Sequence, residues 1–300
     1  QSAHIGLSII SYQMAGLMIG GILWGVLGDK KGRMSVLFGS IIMYSLANIA
    51  NGFVHDVTQY SVCRFIAGIG LAGELGAGIT LVCELIPKEK RGFATSFIAG
   101  VGLTGAILAY FISKEFDWRI CYFIGGGLGL LLLYLRVSVF ESGMFEMEKK
   151  EKIQHGNFFM FFNNYDRFKR YMLGIMLGLP IWYVLGILVQ LSDKFGKQFG
   201  IKEEIAPGKV MVFMYVAISI ADFLSGILSQ LLKSRKKALY VYYLIMITGV
   251  VLYFFQYNGS ANGMIIICMI IGFGTGFWAL FVTIAAEQFG TNLRATATTT

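Results

Sequence analysis

Nine apolar segments recur along the chain, near residues 6–28, 34–52, 58–86, 93–112, 118–137, 171–191, 209–232, 239–257 and 262–286. Each is long enough to cross a bilayer as a helix, which takes roughly 20 residues for about 30 Å of hydrocarbon. The glycines fall inside these segments rather than between them, and only three prolines occur in the chain. Close packing of helices in lipid calls for that distribution. Most polar breaks are short, which sets neighbouring helices antiparallel. The exception is residues 138–170, a long polar stretch with VFESGMFEMEKKEKIQHGN near its start. The pattern predicts an all-α membrane protein in which two helical bundles, residues 1–137 and 171–300, are joined by a linker over 138–170.

Composition agrees with that pattern, at 56% hydrophobic and 14% charged residues with a mean hydropathy of +0.67. The first apolar segment lacks a basic n-region and a small-residue cleavage site, so it reads as a span. Cys63, Cys83, Cys121 and Cys268 lie within apolar segments without metal-ligand spacing, which argues against a disulfide framework and a zinc site. His4, His55 and His155 fall in or beside breaks, where none is placed as a ligand. The net charge of +8 could suggest nucleic-acid binding, but the basic residues are not scattered. With Gln1 outside, the inside breaks and helix ends hold 18 of the 25 lysines and arginines. That asymmetry is the positive-inside rule, and it puts the 138–170 linker on the cytoplasmic side of a plasma membrane, the inner membrane in a bacterium. No phosphate-binding loop or enzyme motif is present, and no cofactor is expected.

The two bundles repeat one another. Glu84, Arg91, Ala94 and Thr95 end the third span and open the fourth; Glu287, Arg294, Ala297 and Thr298 follow the ninth at the same spacing, 203 residues later. Leu23, Gly25 and Leu27 correspond to Leu224, Gly226 and Leu228 at an offset of 201, and the basic run Lys233, Arg235, Lys236, Lys237 follows. Two matches at corresponding helix ends indicate an internal parallel duplication.

The stretch Gly25-Val26-Leu27-Gly28-Asp29-Lys30-Lys31-Gly32-Arg33 resembles the signature between the second and third helices of the major facilitator superfamily. Arg64-Phe65-Ile66-Ala67-Gly68-Ile69-Gly70 resembles that family's fourth-helix motif, and the two Glu-x6-Arg elements resemble its charged cytoplasmic gates. The resemblance implies two pseudo-symmetric bundles and secondary transport by alternating access. Ala72-Gly73-Glu74 and Glu141-Ser142 are similar to the metabolite and sugar proton-symporter branch, with Phe140 and Gly143 where that branch has prolines. Set against the family's twelve helices, the nine spans match the second to the tenth with the start of the eleventh. An internal window of a longer protein is therefore expected. The implied function is proton-coupled symport of a small polar metabolite by a monomer. The alternatives are an antiporter or exporter, or a transport-inactive sensor or scaffold on the same fold. Symport is favoured over drug antiport because residues 93–112 contain no proline.

The resemblance also assigns candidate residues. Gly25, Gly28 and Gly32 would let two helices and their turn approach closely, while Asp29 and Arg33 would bridge each other or Glu84 and Arg91 at the cytoplasmic gate. The plain alternative is a solvated turn that only obeys charge topology. Gln230 replaces the aspartate in the second half, so that gate would rest on Glu287 and Arg294. Ionisable groups within spans are functional candidates by default. Arg64, Glu74 and Asp222 are thus expected to serve proton coupling or substrate binding, or else structural hydrogen bonding. Glu74 lies ten residues beyond Arg64, about 15 Å deeper and turned about 80° away, so the two should not pair. Asp222 could pair with a helix outside this window. Trp182, Tyr183, Gln190, Tyr215 and Trp278 could line a cavity, although aromatics are as common in lipid-facing belts. Pro180 is expected to kink the sixth span, and Gly125-Gly126-Gly127 reads as a packing face. No residue distinguishes an organic acid from a sugar, an amino acid or an osmolyte.

Overall fold

The computed structural model describes residues 2–140, 158–289 and 293–299. Every regular element among them is helical: α1 (Ser2–Lys31), α2 (Arg33–Asn51), α3 (Val57–Leu85), α4 (Lys88–Glu115), α5 (Trp118–Phe140), a 3-10 turn (Phe158–Phe161), α6 (Tyr165–Tyr183), a π turn (Val184–Val189), α7 (Ser192–Gln198), α8 (Pro207–Leu231), α9 (Arg235–Phe255), α10 (Ala261–Thr275), α11 (Trp278–Gln288) and α12 (Arg294–Thr299). Nine stretches among the described residues are long and apolar enough to span a membrane, in the positions the hydropathy pattern predicts.

Local chemistry starts and stops these helices. Asp56 Oδ1 accepts from Gln59 N–H at 2.8 Å to open α3, Ser260 Oγ accepts from Gly263 N–H at 3.0 Å to open α10, and Pro207 starts α8. Gly32 alone separates α1 from α2, with φ at 90°. An L-residue resists that backbone conformation, so glycine is what lets the chain reverse between two spans in one residue.

Two spans are less regular than their sequences suggest. Helix α6 continues past Pro180 to Tyr183, and a π turn follows at Val184–Val189. The ninth span is broken: α10 ends at Thr275 and α11 begins at Trp278. Hydropathy reads the apolar run over 262–286 as one span, although Gly274, Thr275 and Gly276 punctuate it at that point. The break stands where a Cβ on Gly276 would collide with Ala221 and Asp222 of α8.

By their internal contacts the residues form two compact units. The first comprises Gln1–Leu81, Ser113–Tyr165 and Ala285–Thr300; the second comprises Val82–Ile112 and Asp166–Ile284. Each unit draws on both halves of the duplication, a grouping drawn along different lines from the division at the linker. In the first, Trp24, Val36, Leu37 and Ala77 form a small core, and Trp24 Nε1 donates to the Ile69 carbonyl at 2.7 Å. The second has a larger core around Ile181, Leu188, Met214, Ile218, Tyr253, Ile271 and Phe277. Three tyrosines of α9 tie it together by donating to backbone carbonyls: Tyr242 to Ala221 at 2.8 Å, Tyr243 to Leu177 at 2.6 Å, and Tyr253 to Leu188 in the π turn at 2.8 Å. A phenol buried in an apolar bundle is costly unless it finds such an acceptor.

Glycine decides how near the helices of the first unit come. A Cβ on Gly16 would strike the Phe65 carbonyl, on Gly20 the Ile69 carbonyl, and on Gly68 the Gln13 carbonyl, so α1 and α3 touch backbone to backbone. Of the Gly125-Gly126-Gly127 run only Gly126 makes such a contact, 2.5 Å from Ile49 Cγ1; the other two face open space. Replacing Gly68 with Leu is expected to destabilise the protein by about 2 kcal/mol or more. Gly102→Leu, where nothing lies within 4 Å, should be tolerated. Thermal unfolding in detergent compares the two, and equal melting temperatures would refute the close α1–α3 contact.

Candidate functional site

Helix α12 starts against the end of α1. The Asp29 carboxylate, 5% exposed, is held by four donors. Arg33 Nη1 lies 2.8 Å from Oδ1, which also accepts from Ala295 N–H at 3.1 Å. Oδ2 accepts from Thr296 N–H at 2.9 Å and from Thr296 Oγ1 at 2.6 Å. The free amides of a helix's first turn carry partial positive charge, so an anion there gains both hydrogen bonds and field. Gly25 and Gly28 make the approach possible: a Cβ on Gly25 would lie 2.7 Å from Thr296 Cα, and one on Gly28 would lie 3.2 Å from Ala295 Cβ. Farther along the same crossing, the Thr80 and Thr298 hydroxyls pair at 2.8 Å, and Thr299 Oγ1 donates to the Gly21 carbonyl at 2.8 Å.

The second unit contains the counterpart of this crossing, between α8, α4 and α11. A Cβ on Gly226 would come within 2.9 Å of Ser96 Cβ; Ser96 and Ser225 hydroxyls lie 3.3 Å apart; and Thr283 Oγ1 donates to Thr95 Oγ1 at 3.0 Å. The sequence offsets map Gly25 onto Gly226, Thr80 onto Thr283, Thr95 onto Thr298 and Ser96 onto Thr299. The duplication therefore repeats contacts as well as motifs. The arginines of the Glu-x6-Arg elements also act alike, Arg91 Nε donating to the Ile86 carbonyl at 2.9 Å and Arg294 Nε to the Ala286 carbonyl at 2.9 Å. Each holds the C-terminal carbonyls of the span before it. What is not repeated is the carboxylate, since Gln230 is exposed at the position equivalent to Asp29. Glu287 sits half-buried in the last turn of α11, and the Glu84 side chain lies outside the described residues.

The remaining candidates separate. Arg64 donates through Nη2 to Gln13 Oε1 on α1 and stands 5.6 Å over the ring of Tyr122 on α5, whose hydroxyl is 2.5 Å from that of Tyr60. This places a cation, an amide and two phenols together within the first unit. Glu74 does not join Arg64. Its carboxylate meets Arg136 Nη2 of α5 at 2.7 Å, with the two side chains 30% and 26% exposed. Sequence depth alone leaves Glu74 as a lone mid-span acid; the partner is missed because Arg136 reads as the inside end of its own helix, while its long side chain reaches back along the span. In the second unit Trp182 and Trp278 stack edge to face with centroids 5.4 Å apart. Tyr183 is exposed, Tyr215 packs half-buried against the core, and Gln190 closes the π turn. Asp222 is fully buried on α8, its Oδ1 accepting from Ala279 N–H in the first turn of α11 at 3.2 Å. Among the described residues no group of His, Cys, Asp and Glu is arranged to hold a metal ion.

The chain is similar to known proteins. The niacin transporter NiaP of Acinetobacter baylyi is 27% identical over 328 residues, which cover 96% of this chain and 72% of that protein. The benzoate transport protein of the same organism is 31% identical over 159 residues, 50% of this chain and 34% of its own length. Among solved structures, the proton:xylose symporter XylE, bound to 6-bromo-6-deoxy-D-glucose, aligns with a TM-score of 0.69 at 15% identity, covering 98% of this chain and 74% of that one. At that identity the likeness is one of fold, two pseudo-symmetric helical bundles. The family model described as Major Facilitator Superfamily matches residues 1–300, the full length of the sequence. With its nine spans and duplicated helix crossing, the chain belongs to the Major Facilitator Superfamily.

Proposed function

We propose that the protein is a secondary active transporter that carries a small polar metabolite across the membrane by alternating access, in symport with protons. The observation that carries this reading is the Asp29 latch. A carboxylate seated on the first-turn amides of α12 joins the first half of the duplication to the second at one end of the spans. Such a contact is worth having where two halves must be held and then released, since it is strong when made and is replaced by water when opened. Its basic surroundings, Lys30, Lys31 and Arg33, put that end on the cytoplasmic side. The reading includes a monomer in a plasma membrane, the inner membrane in a bacterium.

Two of the relatives, together with one cluster, support a reading of the substrate's chemistry. Niacin and benzoate are both small aromatic carboxylates, and Arg64 with Gln13, Tyr60 and Tyr122 offers a cation, an amide and aromatic rings of the kind such an anion needs. One-ring carboxylates therefore head the screen, ahead of sugars and betaines. The direct test is uptake into proteoliposomes under an imposed inward pH gradient. Accumulation above equilibrium that an uncoupler abolishes is the expected result. Saturable binding without flux would instead make the chain a sensor on the transporter fold, and accumulation driven by an outward proton gradient would make it an antiporter.

Two further results are expected. A cysteine placed at Lys202 should react with an impermeant reagent added outside, and one at Tyr165 only from inside; the reverse would overturn the orientation. Asp29→Asn keeps the volume but removes the charge from hydrogen bonds to several donors. At about 1.5–3 kcal/mol for a charged hydrogen bond, the equilibrium the latch controls should shift tenfold or more toward release, with slower turnover at equal expression. Wild-type flux in this variant would reduce the motif to a topology signal.

A further inference from the structure

Asp222 is the fully buried carboxylate on α8, and its setting differs from those of Asp29 and Glu74. Asp29 has Arg33 and three further donors from α12; Glu74 has Arg136 and partial exposure. Asp222 Oδ1 accepts from Ala279 N–H at 3.2 Å, the Ser225 hydroxyl also acts on the carboxyl group, and Oδ2 is buried with no hydrogen-bond partner. Among the described residues no cation acts on it, the charges of α7 (Asp193, Lys194 and Lys197) included. Within α8, Ser225 Oγ donates at 2.7 Å to the Asp222 backbone carbonyl. Helix α9 contributes the phenol of Tyr242, which is spent on the Ala221 carbonyl; its Arg235, Lys236 and Lys237 stand in the first turn. Helix α10 carries no charged residue, and its Cys268 is a buried free thiol. On α11 the ionisable group is Glu287, eight residues beyond Ala279, and α4 holds its charges, Lys90, Arg91, Lys114 and Glu115 among them, in its end turns.

An ionised carboxylate with one oxygen buried and unpartnered and no counter-charge beside it, inside a membrane bundle, is too costly to persist. A neutral acid at the same place costs far less. The location adds a mechanical consequence. Gly276, at the break between α10 and α11, lies against the backbone of Ala221 and Asp222, with 2.8 Å between its notional Cβ and Asp222 N. Ala279 is the second residue of α11, so its amide belongs to a first turn with no intrahelical acceptor. A proton on Oδ2 leaves that turn lightly held; a bare carboxylate draws its free amides in or admits water, and either changes the break.

We infer that Asp222 is a proton-binding site of this transporter, loaded in the conformation described here, and that its proton occupancy sets the geometry of the α10–α11 break. This deepens the symport reading and rests on it for its role in transport. The proton adds to Oδ2 and leaves from it, with no other bond made or broken. Trp278, the first residue of α11 and the partner of Trp182, is the built-in reporter of the break.

The site is tested without substrate by infrared difference spectroscopy of the purified protein in proteoliposomes, titrated with alkali. A protonated-carboxyl carbonyl band that disappears at high pH should be lost in Asp222→Asn and displaced in Asp222→Glu. The pH-dependence of Trp278 fluorescence should vanish in Asp222→Asn with it. If Asp222→Asn does not fold, the displacement in Asp222→Glu still decides the assignment. An identical band in both variants would overturn the inference, as would a band removed by sodium at constant pH, which would make the site one for a metal cation. In transport, Asp222→Asn should lose at least tenfold in pH-driven accumulation ratio. If the wild type shows no pH-driven accumulation, symport fails by itself, and the infrared band still decides whether Asp222 binds the proton.

Discussion

In the first unit the carbonyls of one helix occupy the space that a side chain on its neighbour would need. At Gly16, Gly20 and Gly68 the obstacle is backbone, which cannot move aside as a flexible side chain can. Lipid offers no hydrophobic reward for pressing apolar helices together, so association depends on how closely the surfaces fit and on what polar groups can then meet. The hydroxyl pairs follow from that closeness. Thr80 meets Thr298 at 2.8 Å, in the crossing where Gly25 and Gly76 face α12, and Ser96 meets Ser225 at 3.3 Å beside Gly226. Any larger residue at these glycines would hold the hydroxyls apart and leave each to find an acceptor on its own helix. Asp29 obeys the same constraint, since its carboxylate reaches the amides of α12 only because Gly25 and Gly28 let the helix start so near.

The duplicated crossing shows what selection at a helix contact preserves. Gly25 and Gly226 keep the identity of the residue, because nothing else fits. Ser96 and Thr299 exchange one small hydroxyl for another, because both supply a donor at the same place. Asp29 and Gln230 diverge outright, and the burial of one against the exposure of the other shows why they could. A buried carboxylate must be matched by donors, whereas an exposed amide is satisfied by water. Two crossings alike in shape thus differ in charge.

The legible part of this molecule was the part governed by hydrocarbon. Nine spans could be placed from hydropathy because every backbone group in lipid must bond within its own helix, and length and apolarity are then sufficient signals. The repeat was legible because glycine, arginine and threonine at fixed spacing survive at helix ends. The irregular turns were not. Pro180 marks the sixth span in the sequence, but the π turn at Val184–Val189, where Tyr253 of α9 donates to the Leu188 carbonyl, carries no such mark. The break at Gly276 was hidden for a similar reason: its cause lies in Ala221 and Asp222 of another helix. Likewise Asp29 pointed to Arg33 four residues on, a local pair that spacing reveals, while Ala295 and Thr296 lie in a different part of the sequence altogether.

Depth counted along single helices does not reveal what the two mid-span acids meet. Glu74 looked isolated and proved to be paired, because an arginine stem can lie along the bilayer core while its head reaches a partner several residues deeper than its own Cα. Asp222 meets the first amide turn of a half-helix, a partial charge that no side-chain inventory records. The comparison separates two ways of tolerating an acid in lipid. A salt bridge fixes the charge and needs both partners to move together if it is to be released. A lone acid beside a helix break can change its protonation with the motion of one segment. For a protein that must alternate between two conformations, the second arrangement links a chemical event to a structural one through fewer parts.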